Sequence, residues 1–137
     1  MDTSANTPEM IEFRITEDEM AAFRRLGGDG GSAANAGDGT VVYGGLILAQ
    51  VSRLLGARFP GQRVVWRSFA LTFLSPLHVG ECAVLHVSLA LVNEDRGLID
   101  FKLGIAVGPR SVAEGEAAAL LMDTPAARTQ QRISRAA

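Results

Sequence analysis

The chain is short of the residues on which several common functions depend. Its 137 residues include one cysteine, one tryptophan, one tyrosine and two histidines. A lone Cys82 closes no internal disulfide, so the fold has to rest on a hydrophobic core, and the protein reads as a cytoplasmic one kept reduced. Lys and Arg number 13 against 15 Asp and Glu, for a net charge of −2. That balance supplies no cationic field for a phosphate backbone, and one Trp with one Tyr makes a poor stacking platform, so nucleic acid is excluded as a partner. The histidines, His78 and His86, form no metal-ligand spacing with Cys82 or the carboxylates, and no metal is expected. The glycines from Gly27 to Gly31 lack the Lys-Ser/Thr of a phosphate loop, and no cofactor is expected either. No apolar run reaches the roughly 18 residues of a membrane span. The opening MDTSANTPEM has neither a basic region nor an apolar one, which excludes a secretory signal and a membrane partner.

What the chain does have is 47% hydrophobic residues and 15 glycines, enough for one domain with tight turns. Residues 1–8 read as a flexible leader, 9–122 as the single folded domain and 123–137 as a flexible tail. Ile11, Phe13 and Ile15 alternate with Glu12 and Arg14, the period of a strand with one buried face. Thr16 and Glu19 have the spacing of a capping box, which predicts a short helix over about 17–26 ending at Gly27-Gly28. The stretch GGDGGSAANAGDG, residues 27–39, carries six glycines in thirteen residues and no core-forming side chain; it reads as loop. GGLILAQVSRLLGARF, residues 44–59, predicts a helix buried on most sides and stopped by Pro60-Gly61. Four strand-like runs follow. Arg67, Phe69, Leu71 and Phe73 alternate against Trp66, Ser68, Ala70 and Thr72, and Leu85, Val87, Leu89 and Leu91 against His86, Ser88 and Ala90. Ile99 to Val107 and Val112 to Leu121 complete a predicted antiparallel meander. A long apolar helix ahead of a long, curved antiparallel sheet gives an α+β class and the hot-dog arrangement, a central helix wrapped by a sheet.

Three strings then resemble the MaoC-like branch of hot-dog proteins, which includes the (R)-specific enoyl-CoA hydratases and the 3-hydroxyacyl-thioester dehydratases. ITEDEMAAFRRLGGD is similar to the family's Thr-x-x-Asp helix leading to Gly-Asp. VVYGGLILAQVSRLLGARFPG resembles the start of its central helix and its Pro-Gly exit. FALTFLSPLHVGE resembles its Phe-x-x-Pro-x-x-x-Gly-Asp element through Phe73, Pro76, Gly80 and Glu81. The resemblance implies an acyl-thioester substrate, carried by coenzyme A or an acyl carrier protein, and a homodimer. It also implies an Asp and a His that hold a water and move protons at carbons 2 and 3. Asp29 matches the Gly-Asp. Nothing matches the family's Asn-Pro-x-His, because the loop reads GGSAANAG and both histidines lie downstream.

The candidate catalytic residues are therefore Asp29, Tyr43 and Asp38, with Gly44, Gly45 and Asn35 as substrate-binding residues. Gly44 and Gly45 at a helix start suit an oxyanion hole for an enolate or a tetrahedral intermediate, or they simply let the helix pack closely. Tyr43 stands where the family often has His; its phenol can donate a hydrogen bond, or its ring can pack. Asp29 and Asp38 are candidate bases or turn residues, and Asn35 can orient a water. Gln50 lies where other hot-dog thioesterases place an acid, and a glutamine is no base. Arg53, Arg58, Arg63 and Arg67 are placed to meet coenzyme A phosphates or an acidic carrier. His78 is expected in a solvated turn and His86 on a strand. A hydro-lyase-like activity leads these readings, with a thioesterase and a non-catalytic dimer binding a carrier-linked intermediate as alternatives. Asp38, six residues before Gly44, is placed to cap the central helix or its preceding turn, a contribution of about 1 kcal/mol. Asp29→Asn is thus expected to lower activity far more than melting temperature, and Asp38→Asn to show the opposite balance; turnover and thermal melts of both variants check it.

Overall fold

The structure, a computed structural model, describes residues 9–27, 41–57 and 64–122. Strand β1 (Glu9–Phe13) leads into helix α1 (Glu17–Arg25), and helix α2 (Gly44–Ala57) precedes β2 (Val64–Phe73), β3 (Ala83–Asn93), β4 (Leu98–Val107) and β5 (Arg110–Leu121). Helix α1 starts where the capping box predicts: the Thr16 hydroxyl accepts from the Glu19 N–H at 3.2 Å, and the Glu19 carboxylate accepts from the Thr16 N–H at 3.1 Å. Three acidic residues in the first turn and Arg24 and Arg25 in the last complement the helix dipole.

All strands pair antiparallel in one sheet of order β1-β3-β4-β5-β2. Only β3, β4 and β5 form the predicted meander. Strand β2 does not join β3: it runs to the far side and pairs with β5, while β3 takes β1 on its other flank. The residues between β2 and β3 are long enough for this crossover, and alternation within a strand carries no record of its neighbours. The two hairpins turn where glycine permits, at Gly97 with φ 69° and at Gly108 with φ 56°.

Helix α2 buries Leu46, Ile47, Val51, Leu54 and Leu55 with Gln50, while Ala49, Arg53, Gly56 and Ala57 stay exposed. Its buried face joins a core of Leu85 and Val87 on β3, Ile99, Phe101, Leu103 and Ile105 on β4, and Val112, Ala113, Ala117 and Ala119 on β5. Burying each large side chain contributes about 1.5–3 kcal/mol, so helix and sheet hold each other in place.

Two bulges revise the predicted faces. Arg67 is the extra residue between Trp66 and Ser68, so Trp66 shares a face with Phe69 rather than opposing it. Their ring centroids lie 5.1 Å apart, and Trp66 also meets Phe101 at 5.9 Å. A second bulge between Leu89 and Leu91 turns Leu91 outward, 58% exposed, and packs Val92 against the core instead.

Inward residues of β5 are small where those of its neighbours are large. Ala113, Gly115, Ala117 and Ala119 pair with Phe73, Leu71, Phe69 and Trp66 on β2, and with Ile105, Leu103, Phe101 and Ile99 on β4. At Gly115 the strands approach so closely that a Cβ would stand 1.8 Å from the Ala70 carbonyl oxygen. Gly115→Ala is expected to destabilise the fold by more than about 2 kcal/mol. Gly104→Ala, where a Cβ meets nothing within 4 Å, is the control expected to stay near wild type; denaturant midpoints of the two variants make the comparison.

Candidate functional site

Tyr43 ends the approach to α2 and begins the helix itself: its carbonyl accepts from Leu46 N–H at 3.0 Å and Ile47 N–H at 3.1 Å. Gly44 and Gly45 then occupy the first helical positions, where backbone N–H groups point past the helix end and the dipole is positive. Beside them lies a cavity of about 470 Å³, lined among the described residues by Gly44, Gly45, Leu48, Phe69, Ala70, Leu71 and Phe73. Its two halves differ in chemistry. The helix start offers polar backbone, and the rest is an apolar wall contributed by one turn of α2 and the second half of β2.

The other candidates are placed differently. Tyr43 is fully buried, but its side chain turns toward α1 and is not among the cavity's lining residues. Its hydroxyl accepts from the Arg24 Nε–H at 2.9 Å, and its ring meets Phe23 at 5.2 Å between centroids. Asp29, Asn35 and Asp38, with Arg58 and Arg63, lie outside the described residues. Arg53 and Arg67 are exposed. Neither histidine lines the cavity. His86 is exposed on β3 opposite Met10 and Gly104. His78 is half-buried rather than solvated, because its backbone bridges to Val41 just ahead of α2. Among the described residues no group of three or more His, Cys, Asp or Glu is placed to hold a metal ion. No helix among them is long and apolar enough to cross a membrane.

Sequence reasoning found the glycine pair but not the wall opposite it. Phe69, Leu71 and Phe73 are visible in the sequence as an apolar face, yet which element that face meets depends on the β2 crossover. Gln50 is the second feature that spacing alone does not explain. Buried in the middle of α2, it donates through Nε2 to Glu19 Oε2, and its Oε1 accepts from Arg53 Nε and Nη2 at 2.9 and 2.7 Å. Glu19 thus caps α1 with one oxygen and holds α2 with the other, and the buried amide between the helices is partnered at both its nitrogen and its oxygen. The signal for it was a polar residue at a position on the helix's buried, otherwise apolar face.

A third cluster sits at the turn between β2 and β3. The Glu81 carboxylate accepts from the His78 N–H at 2.7 Å and from Arg110 Nη2 at 2.8 and 2.9 Å. The His78 N–H bond is the main cause that holds the Glu81 carboxyl below its ordinary value; burial opposes it, and the Arg110 guanidinium adds to the lowering. A lowered folded-state value means stability present above the ordinary glutamate range and lost as pH falls through the lowered one. The Arg110 side of this pair is 41% exposed, and such pairs contribute about 0–1 kcal/mol. The hydrogen bond to the turn is the stronger part.

No protein-family model matches the chain. In sequence it is 27% identical over 124 residues to a 3-hydroxybutyryl-CoA dehydratase of Methylorubrum extorquens, covering 85% of this chain and 79% of that protein. It is 25% identical over 81 residues to an (R)-specific enoyl-CoA hydratase of Rhodospirillum rubrum, covering 59% of this chain and 56% of the other. In structure it is similar to the (R)-hydratase from A. caviae involved in PHA biosynthesis, with a TM-score of 0.71, 25% identity, and coverage of 85% of this chain and 96% of that one. Gln50→Leu, which strips Glu19 and Arg53 of their shared partner, is expected to cost about 1–3 kcal/mol; chemical denaturation of the variant measures it.

Proposed function

We propose that the chain, a hot-dog protein of the MaoC-like type, processes acyl-CoA thioesters in the manner of a hydratase or dehydratase, with a diverged set of proton-transfer groups. The observation that carries this reading is the coincidence of a half-apolar cavity with the N-terminus of a buried helix at Gly44 and Gly45. A thioester carbonyl set there puts its oxygen at the positive end of the α2 dipole. The acyl chain then runs along Leu48, Phe69, Leu71 and Phe73. Hydration of a 2-enoyl thioester adds a water oxygen to carbon 3 and a proton to carbon 2. Between the two events the negative charge rests on the thioester oxygen as an enolate, the species a helix N-terminus stabilises best. Dehydration runs the same path backwards.

The proton transfers need a base and an acid that the lining residues do not include. We assign the base to Asp29, in the segment that leads into Tyr43, with Asp38 as the alternative and Asn35 as the group that orients water; the Tyr43 hydroxyl, held by Arg24 on the α1 side, is a candidate only for a role at the edge of the site. Absence of the family's His from this segment is the reason for reading the site as diverged. A positioned acid–base group is worth about 10²- to 10⁴-fold in rate, so turnover is expected to fall below that of a complete pair by a factor of that order. Phe73 both lines the cavity and is 46% exposed, and Val65 and Leu74 on or beside the same outer strand are about half exposed. A second copy joined along β2 covers these groups and completes the wall, which favours a homodimer. Coenzyme A is the carrier favoured here; an acyl carrier protein meeting Arg53 and Arg67 is the alternative. The setting proposed is cytoplasmic.

Crotonyl-CoA and longer enoyl thioesters, followed by loss of the enoyl absorbance, test the reading. Slow hydration that Asp29→Asn abolishes is the expected result. Release of free thiol without hydration replaces it with a thioesterase, and saturable binding without either reaction leaves a binding dimer. Failure to bind any acyl thioester overturns the proposal.

A further inference from the structure

The turn from Leu77 to Glu81 touches three separate segments of the chain, at residues 14–15, at 41–42 and at Arg110. Leu77 is buried, and its carbonyl accepts from the Val42 N–H at 2.8 Å. His78 and Val41 form an isolated antiparallel bridge. Gly80 donates its N–H to the Ile15 carbonyl at 3.0 Å, and its own carbonyl accepts from Arg14 Nη1 at 3.3 Å. The turn closes on itself through Glu81 N–H to the His78 carbonyl at 3.1 Å, with Gly80 at φ 86°. What locks it from the other side is the Glu81 carboxylate, which accepts from the His78 N–H and reaches across to Arg110 at the start of β5.

One residue, Tyr43, separates the bonded Val42 from Gly44. Val42 has no helix to hold it, since the first intrahelical bonds run to the Tyr43 carbonyl. The direction in which α2 begins is therefore set by the bond from Val42 to Leu77, and the position of Leu77 by the turn that Glu81 closes. We propose that Glu81 is a positioning residue for the Gly44–Gly45 end of α2. It fixes where the helix N-terminus points without lining the cavity or contacting a ligand. The inference rests on the reading of that end as the thioester site, and it gives a role to the Gly80-Glu81 step of the third sequence string, which the proposed chemistry leaves unused.

The chain of contacts makes a local prediction that a merely stabilising carboxylate does not. Removing the carboxylate frees the turn and with it residues 41–47, while the β3, β4 and β5 ladders, bonded to one another along their lengths, stay as they are. Amide hydrogen exchange of the full chain reads this without any ligand. In Glu81→Ala, exchange of segment 41–47 is expected to rise about tenfold, with the β3–β5 core unchanged. Glu81→Gln keeps an oxygen that accepts from His78 N–H, and it is expected to restore most of the protection. Affinity for crotonyl-CoA is expected to follow the same order, weakened several-fold in the alanine variant and recovered in the glutamine variant. Unchanged exchange at 41–47 in Glu81→Ala overturns the proposal. So does an equal rise across β3, β4 and β5, which is global loosening, and so does a glutamine variant that behaves like the alanine one. If the wild-type protein binds no thioester, the reading of the site fails, and the exchange measurements still decide the role of Glu81.

Discussion

Helix α2 can leave water only if its apolar face is covered, and its first turn can take part in chemistry only if that end is not. The sheet meets the first demand at Leu46, Ile47, Val51, Leu54 and Leu55. The second is met by β2, whose later half stands off from Gly44 and Gly45 and leaves the cavity between them. A helix N-terminus is worth most to a developing negative charge where water is excluded. The core that stabilises the fold is in this sense also the low-dielectric wall of the site.

Around that constraint the polar groups act as fasteners. Glu19 joins the cap of α1 to Gln50 in α2, so the short helix is tied to the long one by a carboxylate already needed at its own start. Arg24 reaches Tyr43 from the other end of α1. The two links run from opposite ends of α1 to Gln50 in the middle of α2 and to Tyr43 just before it, and so tie the short helix to the approach to Gly44. Glu81 and its turn hold the same approach from the sheet side.

Much of this was written locally in the chain. The capping box Thr16-Glu19, the Gly97 and Gly108 turns and the apolar run of α2 each depend on residues within a few positions, and each forms where the sequence places it. The α+β class and hot-dog arrangement follow from their order. What the sequence did not reveal is non-local. Strand β2 pairs with β5 because of how the crossover runs, and the bulges at Arg67 and Ala90 change which side chains face inward without altering the apolar pattern around them. The site divides the same way. Gly44 and Gly45 were legible as the start of a buried helix. Phe69, Leu71 and Phe73 were not legible as its opposite wall, and Asp29, Asn35 and Asp38 lie outside the described residues.

The column of alanine and glycine along β5 has a consequence for how this sequence can change over time. Interior volume is conserved more strictly than residue identity, because close packing tolerates neither voids nor excess. Along β5 the inward side chains are already near the minimum, so nearly every change there adds atoms. Ala117 faces Phe69 in one register and Phe101 in the other. A larger residue at 117 therefore needs a smaller one at 69 or 101, and Phe69 is also a wall of the cavity. Drift in β5 is in this way coupled to the shape of the cavity beside Gly44 and Gly45, so on the function proposed above relatives with bulkier β5 strands should differ in the chain they accept.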